Sequence, residues 1–316
     1  MGIARVSARL LLAEAGKRPF SGRVLQLGRQ HLYFTDRDLE RWAPTHGVQL
    51  TSEYLQNNKR EALLNPWYND SAYMDDGSFF ARIGFERVES CDYSGDEEPT
   101  YLIDLNDPVP DSLIGKFDVV YDGGTLEHVF NIPNALKNVH LLLKDGGRII
   151  HHSPSSNHVD HGFYMFSPCL FVDYYATNSY KICEAQLVEY DKNWESQPCF
   201  VYNYVPGCID DDLSFGGFDR GKLLLISLVA AKMENSTCGI TPQQGRYART
   251  WQDRNLWNSS KESYERSYGS PLPNYEQPKM PASSASRIIE GLKKRLGLSS
   301  VRQPTRPLDL YKVAEW

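Results

Sequence analysis

Phe117-Asp118-Val119-Val120-Tyr121-Asp122 is followed by Gly123-Gly124-Thr125-Leu126-Glu127-His128-Val129 and, one helix length later, by Leu142-Leu143-Lys144-Asp145-Gly146-Gly147-Arg148. The first run is apolar and rich in β-branched residues, and it stops at an acid, as a buried strand does. From Ile132 to Leu143, the residues Ala135, Leu136, Val139 and Leu142 recur at helical spacing. Asp145-Gly146-Gly147 turns the chain, and Arg148-Ile149-Ile150-His151-His152 is a second strand. Strand, helix, turn and strand in this order specify a parallel pair joined by a crossover helix.

The alternation extends outward in both directions. Residues 3–15 form an amphipathic helix pattern, with Val6, Leu10, Leu11 and Ala13 on one face. Arg23 to Gly28 reads as a strand closing at a glycine. Asp75-Asp76-Gly77 starts a helix whose buried stripe is Phe79, Phe80 and Ile83, with carboxylates near its positive end. Phe85 to Cys91 is a strand closing at Asp92, and Tyr101-Leu102-Ile103 is another closing at Asp104. On the C-terminal side, Ser167-Pro168 opens a helix. Ile182 to Tyr190 and Leu223 to Ala231 are strands with only a loop between them, which predicts an antiparallel pair at the end of the sheet. The expected fold is therefore α/β: a mostly parallel sheet with a terminal antiparallel pair, over residues 1–240. An insert of about residues 31–84 follows the first strand. Around Trp42, Trp67 and Tyr68 it reads equally as a lid over a site or as a packed excursion. Residues 241–316 form a C-terminal extension in which Ala285 to Leu298 is a short basic amphipathic helix.

The chain has 316 residues, 41% hydrophobic residues and a formal net charge of -6. An acidic chain has no electrostatic footprint for wrapping nucleic acid. Its six cysteines contain no CxxC pair and are too sparse for a disulfide framework, which favours reduced thiols and a cytoplasmic location. Arginines interrupt the N-terminal apolar run, and Leu223 to Ala231 is half the length of a membrane span of about 20 residues. A soluble protein is expected, with the basic tail helix suited to an anionic membrane surface, a partner or a second copy of the chain.

In a parallel sheet, ligands bind beyond the carboxyl ends of the strands, where the strand order reverses. The residues at those ends resemble the class I S-adenosylmethionine (SAM) methyltransferases. Val88 to Ser94 is similar to that family's second strand, Ile103-Asp104-Leu105-Asn106 to its third, and residues 117–148 to its fourth strand, following helix and fifth strand. His161-Gly162-Phe163-Tyr164-Met165-Phe166-Ser167-Pro168 resembles a bacterial subgroup associated with surface-polysaccharide genes. The resemblance covers about residues 20–235. It implies a Rossmann-like domain that binds SAM: the ribose on Asp92 and Tyr93, the adenine at Asp104 and Leu105, and the methionine end near Gly28, Gln30, Asp122 and Gly123. It further implies methyl transfer to a small acceptor hydroxyl, on a sugar or glycan precursor. The chain departs from the family at Leu25-Gln26-Leu27-Gly28-Arg29-Gln30. There Gln26 replaces the usual acid, and one glycine remains of the usual three.

Six of the eight histidines lie between His128 and His161. Histidine titrates near neutral pH, so one of them suits deprotonation of the acceptor, and His128, His161 and Glu127 are the candidates. The eroded glycine loop leaves open a protein that kept the fold as a binding scaffold. The histidine cluster leaves open a metal-dependent hydrolase, although no HExxH or comparable spacing supports a metal, and none is expected.

Overall fold

The computed structural model describes residues 2–63, 73–193, 198–206, 221–245, 262, 265, 266 and 312–316. The strand–helix–strand unit stands as read: β6 (Phe117–Asp122), α5 (Ile132–Leu142) and β7 (Leu143–Ser156), with β6 and β7 parallel. Asn131 caps α5 by accepting from the Asn134 N–H, and a proline sits in its first turn. Before this unit come α1 (Arg5–Lys17), β2 (Arg23–Leu27), α4 (Asp76–Arg82), β4 (Arg87–Asp92) and β5 (Tyr101–Leu102). After it come α6 (Pro168–Thr177), β8 (Lys181–Asp191), β9 (Phe200–Asn203) and β10 (Lys222–Ala231).

The main sheet runs β11-β9-β8-β10-β7-β6-β2-β4-β5, where β11 is Lys312–Glu315. The five strands from β5 to β7 are mutually parallel in the order of a doubly wound, Rossmann-like sheet. Every pairing beyond β7 is antiparallel: β10 on β7, β8 on β10, β9 on β8 and β11 on β9. This corrects the expectation of a mostly parallel sheet with one terminal pair. The sheet is mixed, because β9 folds back from the loop after β8 and the last residues of the chain return to pair with it. Both strands are four residues long, too short for period-two alternation to mark them.

Alternation along the strands builds two cores. Leu25, Leu27, Val120 and Ile149 pack against α5 and α6 through Leu136, Val139, Phe171 and Tyr175. Val24, Val119, Tyr121 and Ile150 pack on the other face against α1, α4 and the insert, through Leu11, Leu12, Phe34, Trp42, Phe79 and Phe80. Within the insert, β3 (His31–Leu32) pairs with β1 (Gly2–Ile3), and α2 (Asp36–Trp42) begins in a Thr35/Asp38 capping box. Trp42 is packed 5.5 Å from Phe34, so at this residue the insert is a structural excursion; Trp67 and Tyr68 lie outside the described residues. The tail helix of 285–298 also lies outside them. No helix among the described residues is long and apolar enough to cross a membrane.

Candidate active site

The strand order reverses at β2, with β4 and β5 on one side and β6 and β7 on the other. Register brings the strand ends level: Leu27 lies opposite Cys91 and Asp122, and Asp122 lies opposite His151. The place where a sheet of this order binds its ligand is thus marked by Gly28, Asp92 and Gly123, each one residue further on.

Gly28 holds a φ of +70°, where side chains are disfavoured. A Cβ there would stand 2.7 Å from Thr125 Oγ1, 3.6 Å from Gln30 Nε2 and 3.7 Å from Asp92 Oδ2. The Thr125 hydroxyl donates to the Leu27 carbonyl, tying the loop after β6 to the end of β2. Gln30 Nε2 donates to the Leu27 and Gly28 carbonyls at 3.1 Å each. Its Oε1 is buried without a hydrogen-bond partner and lies 2.6 Å from where a Gly123 Cβ would sit. Gln30 therefore occupies space that a glycine loop would leave open, and it offers an unused acceptor there. Asp92 Oδ1 accepts from the Ser94 N–H at 3.2 Å. The Ile103 N–H donates to the Asp92 carbonyl at 2.8 Å, which sets Asp104 close beside Asp92. Asp104 Oδ1 takes the N–H and the side-chain amide of Asn106. Leu105 is buried, and Tyr93 is 78% exposed over the rim.

The acid missing at Gln26 reappears from another part of the chain. Gln26 Nε2 donates to Asp76 Oδ2 at 2.8 Å, and the Arg29 Nε donates to Asp76 Oδ1 at 3.2 Å. Arg60 stands 3.6 Å from the same carboxylate. Two guanidinium groups thus share one buried carboxylate.

Asp122 is fully buried, and its oxygens are filled by the chain itself. Oδ1 accepts from the Thr125 and Leu126 N–H groups, and Oδ2 from His151 Nδ1 at 2.7 Å and from the Ser153 hydroxyl at 3.0 Å. Burial alone would raise its pKa, but the His151 hydrogen bond and charge, with the two N–H groups, hold it below the ordinary carboxylate value. His151 Nε2 shares a hydrogen bond with the Tyr175 hydroxyl at 2.8 Å, and the ring stacks on Phe171. Asp122 is thus the anchor of the loop that carries Gly123 and Thr125. Next along β7, His152 points to the opposite face, against the Tyr121 hydroxyl at 3.1 Å.

That loop continues into a single 3₁₀ turn, Leu126–His128, and there the predicted catalytic residues meet. Glu127 has no exposed surface, and neither carboxylate oxygen has a hydrogen-bond partner among the described residues. The nearest cations in waiting are His161 Nε2 at 3.6 Å and His128 Nε2 at 3.9 Å, and the two imidazoles lie 5.2 Å apart. Burial raises the pKa of Glu127, and burial with the neighbouring His161 lowers that of His128. A buried carboxyl left without partners costs on the order of 1–3 kcal/mol. His158 joins the edge of the group, with its ring 5.7 Å from His161 and its Nε2 3.3 Å from the Tyr190 hydroxyl. Sequence reasoning missed Thr125, Asp76 and Ser153. For Thr125, its place two residues after the strand-end glycine was the available signal.

No family model and no curated protein matches the chain. Several solved structures resemble it distantly. The 1,6-didemethyltoxoflavin-N1-methyltransferase of Burkholderia thailandensis, with bound 1,6-didemethyltoxoflavin and S-adenosylhomocysteine, is 14% identical over 72% of this chain and 77% of its own, at a TM-score of 0.36. The trans-methyltransferase CalH, in complex with SAH, is 15% identical over 71% of this chain but only 55% of its own, at 0.30. A SAM-dependent methyltransferase of Thermotoga maritima is 14% identical over 70% and 88%, at 0.32. Similarity this distant carries no weight for activity, which has to rest on the chemistry of the crevice.

Proposed function

We propose that the protein is a SAM-dependent methyltransferase acting on a hydroxyl of a small acceptor. The observation that carries this reading is the cradle at Gly28: a left-handed glycine at the switch point, with Asp92 Oδ2 and Gln30 converging on the space a side chain would fill. The residues present fit the cofactor. The Asp92 carboxylate suits the two ribose hydroxyls because it accepts at both oxygens. Asp104 and Leu105 flank the place of the adenine, and Tyr93 offers a ring at the rim. The orphaned Gln30 Oε1 suits the donor of an α-ammonium group, and the guanidinium groups of Arg29 and Arg60 suit a carboxylate. Gly123 and the anchor Asp122 keep this loop in place.

SAM, when bound, supplies an electrophilic methyl group. The chain's own contribution is alignment and proton handling, and alignment contributes the larger share. The acceptor lies over the mouth formed by Glu127, His128 and His161, which hold the proton leaving its hydroxyl. A sugar or glycan precursor as acceptor, in the cytoplasm, rests on the resemblance of residues 161–168 and on the unpaired cysteines.

A second reading, a scaffold that keeps the fold without the chemistry, is favoured by one observation: Gln30 and Thr125 crowd the crevice. Calorimetry of the full chain with SAM and with S-adenosylhomocysteine decides between them. Binding is expected, weakened about tenfold or more in Asp92→Asn, the worth of a hydrogen bond to a charged group. Absence of binding at millimolar ligand overturns the methyltransferase reading.

A further inference from the structure

We propose that Glu127, His128 and His161 form a binding site for one divalent first-row transition-metal ion of the zinc type. Three donors converge here from two separate segments: the 3₁₀ turn after β6 and the loop after β7. Their ligating atoms lie within 4.8 Å of one another, with Glu127 Oε1 3.6 Å from His161 Nε2 and 3.9 Å from His128 Nε2. Imidazole nitrogens and carboxylate oxygens bind such an ion at roughly 2.1 Å, so in a tetrahedral shell they stand about 3.4 Å apart. The two Glu127–imidazole distances exceed this by a few tenths of an ångström, and rotations of the two exposed imidazoles bring their nitrogens, within 4.8 Å of each other, to the same spacing.

The second observation is independent of spacing. Both oxygens of Glu127 are buried and, among the described residues, without a hydrogen-bond partner, and Oε1 faces the two imidazoles. The same sheet edge shows what a structural carboxylate looks like there: Asp122, five residues earlier, has every acceptor position filled. An ion between the three side chains would give the Glu127 carboxylate a direct partner while the two imidazoles stay neutral. Two nitrogens and one oxygen favour a borderline ion over Mg²⁺ or Ca²⁺, which prefer oxygen shells. His158 stays outside the ligand set because its Nε2 meets the Tyr190 hydroxyl. Both ligand imidazoles are 41% exposed, so the fourth position opens outward to water or to an acceptor oxygen, as in catalytic rather than structural zinc sites.

The site stands whether or not the neighbouring crevice holds SAM; an ion there would acidify a hydroxyl at its open position in place of direct proton transfer to these three side chains, and it is tested in the absence of SAM. Untagged full-length protein, stripped with a chelator and dialysed, is titrated with Zn²⁺ and with Co²⁺ by calorimetry and by visible absorption. One ion per chain is expected to bind at about micromolar concentration or below, with Co²⁺ developing ligand-field bands and Mg²⁺ failing to compete. Glu127→Gln and His161→Asn should each weaken binding by about 100-fold or more. Asp92→Asn should leave the ion bound, which separates this proposal from the cofactor reading. Absence of binding, or equal binding by the wild type and both variants, overturns the site. Circular dichroism checks folding; if Glu127→Gln does not fold, His161→Asn, on an exposed loop, decides alone.

Discussion

Asp122 and Glu127 are two fully buried carboxylates five residues apart, and they are opposites. Asp122 receives four hydrogen bonds from Thr125, Leu126, His151 and Ser153. Glu127 receives none among the described residues. The first is an anchor that lets the β6 loop stand against β7. The second is an acceptor held ready against two imidazoles at the molecule's own expense in stability. The difference separates residues that build a site from residues that act in it, although both sit on the same strand-to-helix turn. Substitution tests it most strongly here. Asp122→Ala leaves His151, Ser153 and two backbone N–H groups unpaired in the core, at a cost of about 3–5 kcal/mol. Glu127→Gln removes no hydrogen bond, and the metal-free protein should change by less than about 1 kcal/mol. Urea unfolding of the two variants measures the gap, and equal losses would erase the distinction.

A smaller effect sharpens the same contrast on the glycine side. Gly28 and Gly47 share nearly the same backbone, with φ of +70° and +71°. A Cβ at Gly47 meets nothing within 4 Å, whereas at Gly28 it meets Thr125 Oγ1 at 2.7 Å. Gly47→Ala therefore costs the left-handed penalty alone, about 1–2 kcal/mol. Gly28→Ala costs that plus the displacement of Thr125, up to about 3 kcal/mol. Only Gly28→Ala should also abolish S-adenosylhomocysteine binding in calorimetry. Retained binding would show that the ligand does not approach this turn.

The parallel half of the sheet was legible because β2, β4 and β6 are largely buried and close at a glycine or an acid. The Ile103 N–H on the Asp92 carbonyl holds the ends of β4 and β5 together, and Glu127, His128 and His161 bring their ligating atoms within 4.8 Å of one another. The antiparallel extension was not legible. Strands β9 and β11 are too short to show a pattern, and β11 is separated from its partner by more than a hundred residues. Asp76 was read correctly as a helix start, but its partnership with Gln26 spans 50 positions, and no local rule announces it. The histidine cluster was read too broadly. Two adjacent strand residues cannot face the same site, so His151 joined Asp122 while His152 turned away.

That turn to the opposite face sets the last and smallest expected effect. His152 is 3% exposed, and burial lowers its pKa to about 3, with the repulsion of His151 offsetting the attraction of Asp122. The folded protein thus refuses a proton that the unfolded chain accepts from about pH 6.5 downward. Between those values the unfolded state binds more protons, so stability falls as the pH falls. The slope attributable to His152 is at most about 1.4 kcal/mol per pH unit. His46 and His140, lowered by burial to about 4, add to the same trend, so the comparison has to isolate one residue. Urea midpoints at pH 7 and pH 5 should diverge more in the wild type than in His152→Gln, which cannot take up the proton. Equal divergence would show that His152 takes up its proton in the folded protein as readily as in the unfolded chain.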